Sequence, residues 1–296
     1  MAELTLCPFC QQPKGNPACA FCRDEPKCQS LTSADTERND QPSREQIDIH
    51  HTAALKTSQQ YTLILQWFQQ KNIEVAANMN ALDTTGFFDE VAVTLGDNYR
   101  ILREVSDKIK YLQQKGYVNL KLMLSKKSQH DIACITKFCQ ELYAYSFVTQ
   151  YVYQKQEKIV RMSLQTVPVI INFFNGEWLE WFVFMKLLEL CHAKNIHYSC
   201  LRNLSITFPN KDIHELDVFF LLNSRIPVYI ECKSGEFRQH IEKYSTLRKR
   251  LNLDKAQFLI FVMGLTHEQS QGLTAMYDLT FVNECNFLEH VLALLT

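Results

Sequence analysis

Glycine is scarce, with 8 residues in 296, and no Gly-rich phosphate loop is present. No apolar run approaches the roughly 18 residues that a membrane-crossing helix requires. The longest runs are broken by Glu, Lys or Asn. The opening MAELTLCPFC lacks the basic and long apolar stretches of a secretory signal. A cytoplasmic location with no membrane contact is therefore expected. Net charge is also missing: 31 Lys and Arg oppose 32 Asp and Glu, leaving −1. No global field gathers nucleic acid, so such a partner needs a local patch. Internal repeats are absent. His192, His197, His214 and His240 have no nucleophile motif such as G-x-S-x-G nearby, which disfavours a Ser or Cys triad.

What is present is an ordinary globular composition, 46% hydrophobic and 21% charged. It excludes collagen, coiled coil and a wholly disordered chain. Eleven cysteines are unevenly placed, five of them in the first 28 residues. Cys7-Pro8-Phe9-Cys10 and Cys19-Ala20-Phe21-Cys22 form two C-x₂-C knuckles with eight residues between. Two such knuckles complete a tetrahedral Zn²⁺ site. So short a segment cannot hold a core without a staple of this kind. Residues 1–28 are therefore expected to be a small structural zinc ribbon. Cys28 is not needed by it. Residues 29–58 are polar and poor in apolar side chains, a composition that predicts a flexible linker.

From Tyr61 the chain is dense and apolar. The pattern predicts a mainly helical α+β domain over 59–168, with a hairpin at 151–164 that suggests a winged-helix-like unit. Its best amphipathic run is 98–115, where Ile101, Leu102, Val105, Ile109 and Leu112 make one stripe and Gly116 a stop. Residues 169–296 read as helix, three strands, helix, strand. The helix covers 176–194 and the strands lie near 203–208, 214–222 and 226–233. A basic helix follows at 237–252, then a strand at 257–263, a short one at 280–282 and a helix at 285–295.

Four acidic and basic residues stand out within those apolar elements. Glu231 and Lys233 alternate with Cys232, so they share one face of their strand. Asn223-Ser224-Arg225 is a tight connection, so the two strands pair and Asp217 can sit beside Glu231. Two carboxylates in a covered sheet repel unless compensated, and a divalent cation with hard oxygen ligands, Mg²⁺ or Mn²⁺, is the natural compensation. Glu180 lies on its helix among Val183, Phe184 and Leu187, with Lys186 and Glu189 on the far side. Glu177 falls roughly on the same side, one turn earlier. A carboxylate amid an apolar stripe points toward the same metal. Each feature alone is ordinary, since E-x-K is commonly a salt bridge. The set together is not.

Asp217 followed by Glu231-Cys232-Lys233, on a hairpin after a helix carrying Glu180, resembles the PD-(D/E)XK nuclease superfamily over residues 172–296. The GEWLEW, HELDVFF and IECKSGEF segments are most similar to the nuclease half of ancillary CRISPR nucleases. Those enzymes pair this domain with a sensor for cyclic oligonucleotides, whereas residues 61–168 carry no nucleotide-sensor pattern. The resemblance implies an α/β, restriction-endonuclease-like αβββαβ core and hydrolysis of phosphodiester bonds, endonucleolytic rather than exonucleolytic. Asp217 and Glu231 would bind the catalytic metal and Glu180 complete its shell. Lys233 would orient the water or stabilise the transition state. Desolvation lowers its pKa and the acids raise it, and sequence leaves the balance open. Arg238, His240, Lys243, Arg248, Lys249 and Arg250 form the expected backbone-gripping surface, with the basic face of 98–115 and Lys126-Lys127 as an extension. The expected partner is nucleic acid, DNA before RNA, in defence or DNA processing. A homodimer and a protein partner for the zinc ribbon stay open. The competing reading is a non-catalytic binding module that uses the ribbon and helical domain.

Overall fold

The computed structural model describes residues 59–77 and 86–296. The expected zinc ligands Cys7, Cys10, Cys19 and Cys22, and the linker 29–58, lie outside the described residues.

In chain order the elements are α1 (Gln59–Gln69), β1 (Glu74–Ala77), α2 (Phe87–Asp97), α3 (Tyr99–Gln114), β2 (Asn119–Met123), α4 (Gln129–Ala144), β3 (Val148–Gln154) and β4 (Ile159–Leu164). There follow α5 (Pro168–Asn172), a π-helical turn (Phe173–Glu177), α6 (Trp178–Ala193), β5 (Tyr198–Thr207), β6 (Ile213–Leu222) and β7 (Ile226–Lys233). The chain closes with α7 (Ile241–Leu251), β8 (Phe258–Val262), α8 (His267–Met276), β9 (Thr280–Val282) and α9 (Phe287–Ala293). No described helix is long and apolar enough to cross a membrane.

Two sheets result. The larger has the order β1-β5-β6-β7-β8-β9. Its first four strands pair antiparallel, while β7-β8 and β8-β9 are parallel. The smaller, β2-β4-β3, contains the expected hairpin. Architecture and class are thus mixed α/β, as expected. The sheet is wider than the sequence suggests, because β1 joins it from the segment read as the helical domain. α8 is likewise unanticipated.

The central strands are apolar on both faces because both faces are covered. Val218, Phe220, Val228 and Ile230 enter one core with α2, α6 and α9, while Phe219, Leu221 and Tyr229 enter the other with α1 and α7. In the three-residue β6–β7 connection Asn223 and Ser224 both have positive φ, 49° and 56°, and the Arg225 N–H donates to the Leu222 carbonyl at 3.0 Å to close the turn. α6 is buried nearly all round, since it lies between the sheet and α2. Its amphipathic reading therefore needs correction: only Glu180, Lys186, Glu189 and Leu190, with His192 and Ala193 at the end, escape full burial.

Where α2 packs on α6, Gly96 is buried and the space a Cβ would need is filled by the Phe182 ring, itself held in the core. Gly96→Ala is therefore expected to destabilise the fold by about 1–3 kcal/mol, as overpacking does. Urea unfolding measures it; an unchanged midpoint would show that Phe182 moves freely.

Candidate active site

Local backbone irregularities put the charged side chains in one place. α5 and α6 are separated by the π-helical turn, within which Gly176 leaves helical geometry at φ 157° and ψ −24°. Such turns inside helices re-aim the following residues. Here they bring Asn175, Gly176, Glu177 and Glu180 to the wall of a cavity of about 430 Å³. The sheet contributes Asp217, Cys232 and Lys233 to the same wall.

β5 and β6 reach this point through a switch of face. Cys200 faces the α6 core, and Arg202 on the same face stacks on Trp181 of α6, its guanidinium carbon 3.7 Å from the ring centre. Leu204, two residues on, faces the opposite core. Asn203 between them has φ 54°, and this left-handed residue resets the alternation. In register it stands opposite Asp217, where β6 makes the same change between Leu216 and Val218.

Asp217 and Glu231 lie one step beyond the last β6–β7 pair, Val218 and Ile230. Lys233 bridges them, with its Nζ 2.7 Å from Glu231 Oε1 and 3.8 Å from Asp217 Oδ2. The Cys232 backbone N–H donates to Asp217 Oδ2 at 2.7 Å. Tyr229, on the same strand face as Glu231, donates its hydroxyl to Glu231 Oε2. On the helix side Arg202 Nη1 lies 3.2 Å from Glu180 Oε2, a buried ion pair.

The electrostatics follow from burial. Asp217 is pushed up to about 7, first by desolvation and then by Glu231, despite Lys233 and the Cys232 amide. Burial, and then Asp217, raises Glu180 well above the usual carboxylate range. Burial pulls Lys233 down, but Glu231 and Asp217 outweigh it and hold the ammonium above an ordinary lysine. The balance left open by sequence is thus decided for the charged form. Burial pushes the Cys232 thiol far up, so it is no nucleophile.

The structure brings together Asp217, Glu231 and Lys233 and places Glu180 on the cavity that Asp217 and Lys233 border. It does not gather all three carboxylates around one point. Among the described residues no group of three or more His, Cys, Asp or Glu is arranged to hold a metal. Glu231 turns instead to Tyr229 and Lys233. The remaining donor set still fits a hard divalent cation: Asp217 and Glu180 are buried carboxyls on one cavity wall, each pushed up by burial and then by a neighbouring carboxylate, and a cation would offset both.

The basic helix lies outside the cavity lining. None of Arg238, His240, Lys243, Arg248, Lys249 or Arg250 is among the residues lining the cavity. Arg238 pairs with Glu236 at 3.2 Å, Arg248 with Asp278, and Arg250 with Asp212 at 2.9 Å. His240 meets Tyr244 edge-on, and Lys243 and Lys249 are exposed. Sequence reasoning passed over Arg202, whose signal is a lone charge in the Cys200–Leu204 stretch. It also passed over Tyr229 and Asn175.

Fold and site together define a mixed α/β sheet domain whose central hairpin carries Asp217, Glu231 and Lys233 beside a cavity that Glu180 also lines. Residues 169–261 match the family described as Card1-like, endonuclease domain. Two solved structures share the fold. Protein VC1899 from Vibrio cholerae is 15% identical, with a TM-score of 0.51 over 78% of this chain and 60% of that one. Can2 from Sulfobacillus thermosulfidooxidans, solved in complex with cyclic tetra-adenylate, is 15% identical, with a TM-score of 0.54 over 78% and 59%. The chain thus spans about three fifths of the length of each. No curated protein matches it.

The raised Asp217 carboxyl has a consequence for stability. A carboxyl that binds its proton more tightly when folded stabilises less as pH rises, here between its ordinary 3.8 and about 7. The slope is at most roughly 1.4 kcal/mol per pH unit. Asp217→Asn removes it, so the variant should gain on wild type between pH 4.5 and pH 7.5 in urea unfolding. An identical difference at both pH values would show that Asp217 ionises as in the unfolded chain.

Proposed function

We propose that the chain is a metal-dependent endonuclease that hydrolyses phosphodiester bonds, of DNA before RNA, in defence or DNA processing. The observation that carries this reading is Lys233, held charged between Asp217 and Glu231 at the edge of a cavity that Glu180 and Asp217 also line. Similarity to the Card1-like endonuclease domain supports the reaction class, and likeness to an ancillary CRISPR nuclease supports the setting. Cyclic tetra-adenylate is the ligand of Can2.

Asp217 and Glu180 would hold Mg²⁺ or Mn²⁺. When bound, such an ion lowers the pKa of a water and offsets charge on the phosphate oxygens. Lys233, as an ammonium, donates hydrogen bonds toward the phosphate and stabilises the charge that develops there. It does not act as a base, because both neighbouring acids favour its proton. Glu231 and Tyr229 fix where Lys233 stands. Arg202 fixes Glu180. A guanidinium stacked on Trp181 and itself buried has little room to swing away.

Cleavage of labelled plasmid, linear duplex, single-stranded DNA and RNA tests this, each with Mg²⁺, Mn²⁺ or EDTA. Cutting should require metal and fall by at least about 10²-fold in Asp217→Ala and in Lys233→Ala. Folded wild type that cuts nothing with metal supplied would overturn the enzymatic reading in favour of a binding module. Equal cutting by both variants would displace the site.

A further inference from the structure

A nuclease needs a surface that holds the polyanion beside the bond it cuts. α7 offers little of one, since Arg248 and Arg250 are engaged by Asp278 and Asp212. A different segment has the required charge. From Lys108 to His130 there is no Asp or Glu, and the stretch carries six lysines: Lys108, Lys110, Lys115, Lys121, Lys126 and Lys127. In a chain of net charge −1 this is a strong local bias.

We propose that the face running from the C-terminal half of α3 onto β2 binds single-stranded nucleic acid and leads it to the cavity. The proposal rests on the nuclease reading above. Three observations support it.

The face is joined to the cavity. Lys110 Nζ donates to the Asn175 carbonyl and Gln114 Nε2 to Asn175 Oδ1, both at 2.9 Å. Asn175 is part of the cavity wall. At about 100° per residue, the exposed arc of α3 then runs from Lys110 and Gln114 through Tyr111 and Lys115 to Lys108. Lys108 Nζ donates to the Lys121 carbonyl at 2.7 Å, which continues the arc onto β2.

Beyond Asp107 the stretch adds lysines and no acid of its own. Lys121 stands directly opposite Arg161 of β4 on the exposed face of the small sheet. Like charges directly opposed across strands are unfavourable, and a phosphate between them reverses the sign. Lys108 and Lys110 each use one of three ammonium protons on a carbonyl, leaving two to donate. The acids of α3, Glu104 and Asp107, border the same pocket as Lys108 and Tyr111 and are paired with Lys127 at 2.6 Å and Arg103 at 3.4 Å, so the track rests on Lys108, Lys110, Lys115 and Lys121 and not on Lys127.

Aromatic rings lie among the lysines. Tyr111 is 56% exposed and Tyr117 is 61% exposed. Flat rings between phosphate-binding lysines are stacking platforms for unpaired bases, which selects single strand over duplex.

The test is fluorescence anisotropy on the full chain carrying Asp217→Ala, so that the probe survives. Probes are a short single-stranded DNA of mixed sequence, its RNA counterpart and the DNA duplex. Lys108→Ala/Lys115→Ala/Lys121→Ala should weaken single-strand binding at least tenfold. It should also flatten the slope of log K against log salt by about 2, at roughly 0.7 per phosphate contact. Tyr111→Ala/Tyr117→Ala should weaken single-strand binding by about 5- to 100-fold and leave duplex binding unchanged, while the Phe pair should bind as the parent does. Unchanged affinity and slope in the lysine variant overturns the track. Tighter binding of duplex than of single strand by the parent overturns the choice of ligand, and so does equal loss on both in the tyrosine variant. The track and the nuclease reading fail separately. If the chain with Asp217 intact cuts nothing yet the lysine variant loses binding, the track stands alone. If it cuts, and the lysine variant binds and cuts equally well, only the nuclease reading stands.

Discussion

Three charges at the end of the central hairpin, Asp217, Glu231 and Lys233, are the constraint around which this protein is arranged. Two carboxylates at the end of a covered sheet are unfavourable, because desolvation and mutual repulsion act together. The Lys233 ammonium reaches both and turns the arrangement from repulsive to attractive. The compensation is incomplete, since the Asp217 carboxyl still sits near 7. That residual demand for positive charge is the chemical property the site offers to a cation or to chemistry at a phosphate. Removing either acid would relax it, so the strain and the proposed activity have one origin.

A second buried pair keeps the helix side in step. Arg202 and Glu180 carry opposite charges into the interface between sheet and α6, where a lone charge of either sign is costly. The left-handed Asn203 makes this possible, because it lets Arg202 face α6 while Leu204 faces the other core. One backbone residue thus decides which core receives a guanidinium and which a leucine.

Legibility in the sequence followed physical range. Asp217, Glu231 and Lys233 were readable because strand alternation and a tight turn are local rules, and the register obeys them. α3 was readable from its stripe, with Leu102, Val105 and Ile109 buried and Gly116 at φ 72° beyond its end. β1 was not, being four residues that gain their meaning from β5 more than 120 positions later. α8 was not, because Ser270 is its one fully buried residue and its start depends on the Thr266–Gln269 capping box. The ion pairs of the basic helix were hidden for a related reason. Asp278 and Asp212 lie 30 and 38 residues from the arginines they hold, and no local pattern announces such pairs. Arg202 resembled any strand arginine until Trp181 and Glu180 were placed around it.

The clasp between α3 and Asn175 has a bearing on where such a chain can be divided. The family match begins at residue 169, yet the loop bordering the cavity is held by side chains from residues 110 and 114. The edge of the sheet is closed by β1, and α6 is covered by α2. A segment cut at 169 would leave its aromatic helix bare and the cavity loop unanchored. The unit that folds is therefore longer than the matched stretch, because elements before residue 169 cover and anchor it.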